Sequence, residues 1–155
     1  MQDNYASARD WAHAKPEVQE MMKAYLKWMK EVIGFDGWRY DYAQGFKGKY
    51  IDMYNSAAAN YFSVVEFWNG DMNNIKNYLN DVNWNTLAFD FGTKYSAIQG
   101  IADGNYQKCK GSGLLGAGLS KFAVTFVDSH DTYFGCKGGR DNQDDIGGCG
   151  KSMED

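Results

Sequence analysis

Three acidic residues each follow a short run of strand-forming residues: Asp41 after GWRY, Glu66 after YFSVV and Asp131 after FVDSH. Parallel α/β folds gather the C-terminal ends of their strands at one face, and that face carries the chemistry. Taken singly, each acid reads as a helix cap or a solvated loop residue. Taken together, they point into one cleft and suggest carboxylate catalysis. Arg39 stands two residues before Asp41, on the same strand face. An arginine inside an apolar strand needs an anionic partner, so it is expected to hold Asp41 through a charge-assisted hydrogen bond. Asp36, Asp90 and Asp128 are expected to be capping or strand-end residues, with Asp90 the one nearest to lining a cleft.

The elements that must position these residues follow from pattern. A helix is expected from Pro16 to Ile33, because Pro suits a first turn, Glu17 and Glu20 favour the positive end of the dipole, and Gly34 can cap the end. Val18, Met21, Met22, Tyr25, Leu26 and Met29 form its apolar stripe, with Lys23, Lys27 and Lys30 off it. Then GWRYD reads as a strand, GKYIDMYNSAAANY as a helix, YFSVVEFW as a strand and DMNNIKNYLNDV as a helix opening on Asp71. LAFDF, a helical TKYSAIQGIA, a Gly-rich loop and a fourth strand in KFAVTFVDSHD complete the order. Apolar strands alternating with helices imply βα units around a parallel sheet, either doubly wound or part of a barrel.

Composition narrows the function classes. With a net charge of -4, the 155-residue chain offers no basic field for a phosphate backbone, so nucleic acid is not an expected partner. No apolar run approaches the roughly 20 residues that span a membrane, and the opening MQDNYASARDWAHA does not read as a signal peptide. Aromatics reach 16%, enough either to fill a core or to stack on sugar rings. Cys109, Cys136 and Cys149 show no zinc or redox spacing; one bridge with a thiol left over, or three reduced thiols, both fit.

The residues around the three acids carry more information than their positions. GFDGWRYDYAQGF resembles the nucleophile segment of glycoside hydrolase family 13, the α-amylase family. VVEFW resembles its general-acid segment, and FVDSHDT the segment ending in His-Asp. All three occur in the family's order, over roughly residues 10–134. The resemblance implies a retaining hydrolase of α-1,4-glucans whose chain corresponds to strands four to seven of a (β/α)₈ TIM barrel, a partial barrel over 1–134 followed by a loop or disordered tail over 135–155. It implies Asp41 as nucleophile, Glu66 as acid and base, and Asp131 as transition-state stabiliser. Arg39, His130, Tyr42 and Trp68 would then be substrate-binding residues. The two reacting carboxyl groups of a retaining enzyme lie about 5–5.5 Å apart. Glu66 must hold a proton near neutrality, and desolvation by Val64, Val65, Phe67 and Trp68 is the expected source.

The departures from the family pattern are also specific. Where many relatives have Lys after the nucleophile, often followed by His, this chain has Gln44 and Gly45, and Ser129 replaces the usual Asn before His-Asp. The family's first segment, with a substrate-binding His and a calcium-ligating Asn, has no counterpart before residue 10. No metal or other cofactor is therefore assigned to these residues, and calcium belongs, on the resemblance, to the full-length family enzyme. An α-glucan is the expected partner. The alternatives are a glucosyl-transferring family member and a non-catalytic carbohydrate-binding remnant of such an enzyme.

Overall fold

The computed structural model describes residues 11–127, 129 and 131. They divide into two compact units, the first holding residues 11–68 and 73–89, the second residues 69–72 and those from Asp90 onward.

In the first unit three parallel strands, β1 (Gly37–Tyr40), β2 (Phe62–Val65) and β3 (Leu87–Phe89), are joined by helices α2 (Gly48–Ala58) and α3 (Met72–Asp81). This is the expected α/β order with a parallel sheet. Register aligns Trp38 with Ser63 and Tyr40 with Val65, which in turn faces Ala88. Those five side chains share one face, and all are buried. Ile51 and Tyr54 of α2, Ile75 and Leu79 of α3, and Val82 are also buried in this unit. Burying each of the aliphatic ones contributes about 1.5–3 kcal/mol.

A polar network runs through the same core. The Tyr40 hydroxyl donates to Asn55 Oδ1 at 3.0 Å. Asn55 Nδ2 donates to Ser63 Oγ at 2.8 Å and to the Asn85 carbonyl. Ser63 Oγ then pairs with Thr86 Oγ1 at 2.7 Å. Every link joins a different element, so the network fixes β1, α2, β2 and the entry to β3 against one another. Two glycines permit the packing. A Cβ on Gly37 would meet the Phe62 carbonyl oxygen at 2.3 Å, and one on Gly48 would meet Val82 Cγ2 at 2.6 Å.

The opposite sheet face carries Arg39, Phe62, Val64, Leu87 and Phe89. Here Val64, Leu87 and Phe89 are half-buried and Phe62 is exposed. The strands are therefore apolar on both faces, as expected of parallel sheets covered twice.

The first helix, α1 (Pro16–Trp28), continues through a π-type turn over Met29–Ile33. Gly34 ends it in the left-handed region at φ 90°, as anticipated. Its apolar stripe differs from expectation. Leu26 is buried and Val18, Met22 and Met29 are half-buried, but Met21 and Tyr25 are exposed. Tyr25 stacks instead on Trp28 at 6.0 Å. The stripe combined two adjacent faces, and of its residues only the 18–22–26–29 line is withdrawn from solvent. Ahead of the helix, His13 stacks on Phe46 at 4.5 Å, and its Nδ1 lies 2.8 Å from the Tyr54 hydroxyl, tying this segment to α2.

In the second unit, Phe91–Thr93, Lys94–Ile98 and Gln99–Ala102 form one helical run, α4, with a π-type turn at its centre. The Gly-rich stretch folds into short turns around Tyr106–Cys109 and a one-turn helix, Gly113–Gly116. Cys109 is a free, exposed thiol. The fourth strand, β4, is confined to Ala123–Val124. Its expected beginning, Lys121–Phe122, lies in a tight turn over Ser120–Phe122. Beyond it Phe126 meets Phe91 edge-on at 5.1 Å, and Lys94 Nζ takes the Val127 carbonyl at 2.7 Å. These contacts replace the expected ladder. Asp128, His130, Cys136, Cys149 and the tail over 135–155 lie outside the described residues.

Candidate active site

The ends of β1 and β2 lie side by side, because Tyr40 and Val65 are register partners. The residues that follow, Asp41 and Glu66, are therefore neighbours. Arg39 reaches both: its Nη2 lies 2.8 Å from Asp41 Oδ1 and 2.6 Å from Glu66 Oε1. One nitrogen is thus ion-paired with two carboxylates, and the two oxygens can be no farther apart than those contacts end to end. The Asp41 side chain is 75% exposed and that of Glu66 only 11%. The pair is asymmetric, with one acid open to solvent and the other enclosed.

The chain after β1 turns back over Glu66. Tyr42 adopts φ 44°, a left-handed conformation that is uncommon for a bulky residue. That conformation directs its N–H to Glu66 Oε2 at 3.0 Å. The next amide, Ala43 N–H, donates to the Glu66 carbonyl at 2.9 Å, while the Glu66 N–H donates to the Tyr40 carbonyl at 2.9 Å. Tyr78 of α3 supports the turn from beneath: its hydroxyl donates to the Ala43 carbonyl at 2.7 Å and to that of Phe46 at 3.2 Å. Its ring stacks on Phe67 at 4.5 Å. Burial, with the nearby Asp81 charge, pushes the Tyr78 hydroxyl well above the usual phenol range.

Glu66 is buried, as the flanking apolar residues suggested, but its setting is not simply apolar. One carboxylate oxygen is ion-paired with the Arg39 guanidinium and the other accepts the Tyr42 amide. Trp68 is half-buried, and its backbone N–H donates to Gln44 Oε1 at 2.7 Å. Trp38, on the other face of β1, belongs to the buried core.

Two other sequence-derived positions lie in the second unit. Asp131 belongs to the second unit, exposed in a turn. Asp90, expected to approach the cleft, is fully buried. It caps α4: Oδ1 accepts the Thr93 N–H at 3.0 Å, and Oδ2 accepts the Thr93 hydroxyl at 2.6 Å and the Leu115 N–H at 3.2 Å. The acid is consumed by its own helix and by the Gly-rich stretch. Among the described residues no cluster of three or more His, Cys, Asp or Glu could hold a metal ion.

Over 154 aligned residues, the chain is 34% identical to alpha-amylase 3, chloroplastic, of Arabidopsis thaliana. It is also 32% identical to a probable alpha-amylase 2 of the same plant and to a glucan 1,4-alpha-maltohexaosidase of a Bacillus species. By sequence, the chain belongs to the α-amylase family. The matches cover 84%, 84% and 76% of this chain but only 17%, 36% and 24% of those relatives. An alpha-amylase structure from Malbranchea cinnamomea has the same fold, with a TM-score of 0.64 at 19% identity over 79% of this chain and 26% of that one. No family model matches. Within this family framework, Gln44 and Tyr78 were the residues that sequence reading did not place at the site. Gln44 stood out only as a departure from Lys, and Tyr78 only as one apolar position of a helix.

Proposed function

We propose that this chain carries the acid and nucleophile strands of an α-amylase-type retaining glycoside hydrolase acting on α-1,4-linked glucans, within a (β/α)₈ barrel of which it forms the middle part. The observation that carries the reading is the single Arg39 nitrogen shared by Asp41 and Glu66 at the ends of adjacent parallel strands. Retaining chemistry needs two carboxyl groups about 5–5.5 Å apart, and a shared cation is a direct way to hold them close.

The roles follow from the asymmetry of the pair. Arg39 occupies Asp41 Oδ1, leaving Oδ2 to attack the anomeric carbon. As the C1–O bond breaks, Glu66 gives its proton to the departing glycosidic oxygen and a covalent glycosyl–Asp41 ester remains. Glu66, now a carboxylate, takes a proton from water. The water oxygen attacks C1 and frees Asp41, so acid and nucleophile are both restored. Before the first step, Glu66 takes its proton from solvent, on a lone pair that its contacts with Arg39 and Tyr42 leave open. Substrate entering beside the exposed Asp41 would then exclude water from the pair. Asp131 and His130 would hold sugar hydroxyls, and Tyr42 and Trp68 would line the sugar path.

The test is release of reducing ends from soluble starch by the chain and by Glu66→Gln. Hydrolysis that disappears in the variant, with starch binding retained, supports the proposal. Binding without turnover in the unaltered chain would favour a non-catalytic carbohydrate-binding role. Transfer of glucosyl units to added maltose in place of hydrolysis would favour a transferring member of the family.

A further inference from the structure

We propose that Gln44 is a positioning residue for Glu66, fixing the segment that carries the acid through an acceptor that a lysine at this place cannot supply. The inference rests on the catalytic reading of Glu66. Three hydrogen bonds close the turn after β1 onto the segment after β2. The Tyr42 amide donates to Glu66 Oε2, the Ala43 amide to the Glu66 carbonyl, and the Trp68 amide to Gln44 Oε1. The first two point from the β1 side toward Glu66; the third runs the other way and is the one made by a side chain of the turn.

A backbone N–H can only donate, so whatever meets the Trp68 amide must be an acceptor. Glutamine has a carbonyl oxygen; lysine has three donors and no acceptor. With lysine at 44, the Trp68 amide would lose this acceptor, and the hydrogen bond from the residue two beyond Glu66 to the β1 turn would go with it. At 2.7 Å the contact is at the short end of the N–H···O range. It lies two residues from the acid, beside Phe67, whose ring is already held on Tyr78. Glu66 is thus gripped on both sides: by the β2 ladder before it, and by Gln44 and Tyr78 after it. The substitution that removes the family's common Lys supplies this grip instead.

The experiment compares the unaltered chain with Gln44→Met, which keeps length but has no amide acceptor, and Gln44→Glu, which keeps the oxygen. Starch hydrolysis and exchange of the Trp68 amide are followed together. In Gln44→Met the Trp68 amide should lose protection, and kcat should fall about tenfold or more with KM nearly unchanged, since small displacements of a reacting group cost on the order of 10²-fold. Gln44→Glu should restore protection and most of kcat. Equal Trp68 exchange in all three proteins would overturn the tie. Lost protection with unchanged kcat would overturn the positioning role. If the unaltered chain does not hydrolyse starch, the catalytic reading falls and the positioning role falls with it, while the exchange data still decide the Gln44–Trp68 tie.

Discussion

Glu66 and Asp90 make an instructive pair. Each directly follows a parallel strand, each is buried, and each has both carboxylate oxygens occupied. Their partners differ in kind. Asp90 is surrounded by neutral donors, two of them from Thr93, the third residue of the helix that starts immediately after it. Glu66 is followed by five residues before α3 begins at Met72. That helix cannot fold back to take the acid, so the charge is met by an arginine from the neighbouring strand. A strand-end acid becomes a cap when the helix starts at once, and is left to a cation from the neighbouring strand when the helix starts late.

The largest expected effect falls on the open side of this comparison. Asp41→Asn keeps the shape and an oxygen toward Arg39 but removes the proposed nucleophile. Starch hydrolysis should fall by roughly 10⁴-fold or more, the scale at which a nucleophile loss is felt. The thermal midpoint should barely move, because the side chain is 75% exposed. A loss of stability as large as the loss of activity would show that Asp41 is structural and would dissolve the contrast with Asp90.

Asp90→Ala should do the reverse. The buried Thr93 amide and the part-buried Leu115 amide would lose their acceptor at once, while the Thr93 hydroxyl would keep only the Ser112 carbonyl. Leaving buried donors unmatched costs about 1–3 kcal/mol each, so a loss of about 3 kcal/mol in urea unfolding is expected. Asp90→Asn, which keeps one acceptor oxygen, should lose less. A neutral outcome for Asp90→Ala would mean that water or a shifted loop takes over the cap.

How far this contrast could be read from the sequence depends on the kind of signal. Parallel strands, the helices between them and the Gly34 cap were legible because apolar period and turn chemistry act locally. Asp41, Glu66 and Arg39 were legible because alternation along a strand fixes which side chains share a face. The cap at Asp90 was also legible, because a capping Asp acts on the first turn that follows it; only its suggested place beside the cleft was not met. The short β4 was not legible: whether Val124 to Val127 continues as a strand depends on Phe91 and Lys94, some thirty residues away, competing for those residues. The Asn55 network and the Gln44–Trp68 tie were hidden for the same reason, since each joins elements that only the fold brings together.

Alkaline pH tests the scaffold beneath the open acid pair. Burial pushes the Tyr54 hydroxyl up to about 12 and raises those of Tyr40 and Tyr78 further still. The folded state therefore holds these protons more tightly than the unfolded chain, where a tyrosine loses its proton near pH 10. Their contribution is fully present below about pH 10 and is lost as pH rises toward the folded values. Each such tyrosine should remove about 1.4 kcal/mol per pH unit across that window. Urea midpoints that stay flat from neutrality to about pH 10 and then drop steeply are expected. Tyr54→Phe should soften the drop. An onset well below pH 10 would point to a different group.

The smallest expected effect concerns the entry to β3, where Asp52 of α2 holds the turn that feeds Asp90's strand. Its Oδ2 accepts from Asn83 Nδ2 at 2.7 Å and its Oδ1 from Asn85 Nδ2 at 2.9 Å. The turn needs holding, because Asn83 and Trp84 both have positive φ, at 52° and 58°. These bonds are exposed to water, so removing them with Asp52→Ala should cost only about 1 kcal/mol. If the turn serves only β3 and its cap, the variant should lower the unfolding midpoint slightly and leave hydrolysis untouched, because the Arg39 contacts belong to β1 and β2. A fall in kcat with little loss of stability would show that the register of β3 reaches the acid pair through Val64, whose partner is Leu87. The open and closed strand ends would then be mechanically coupled.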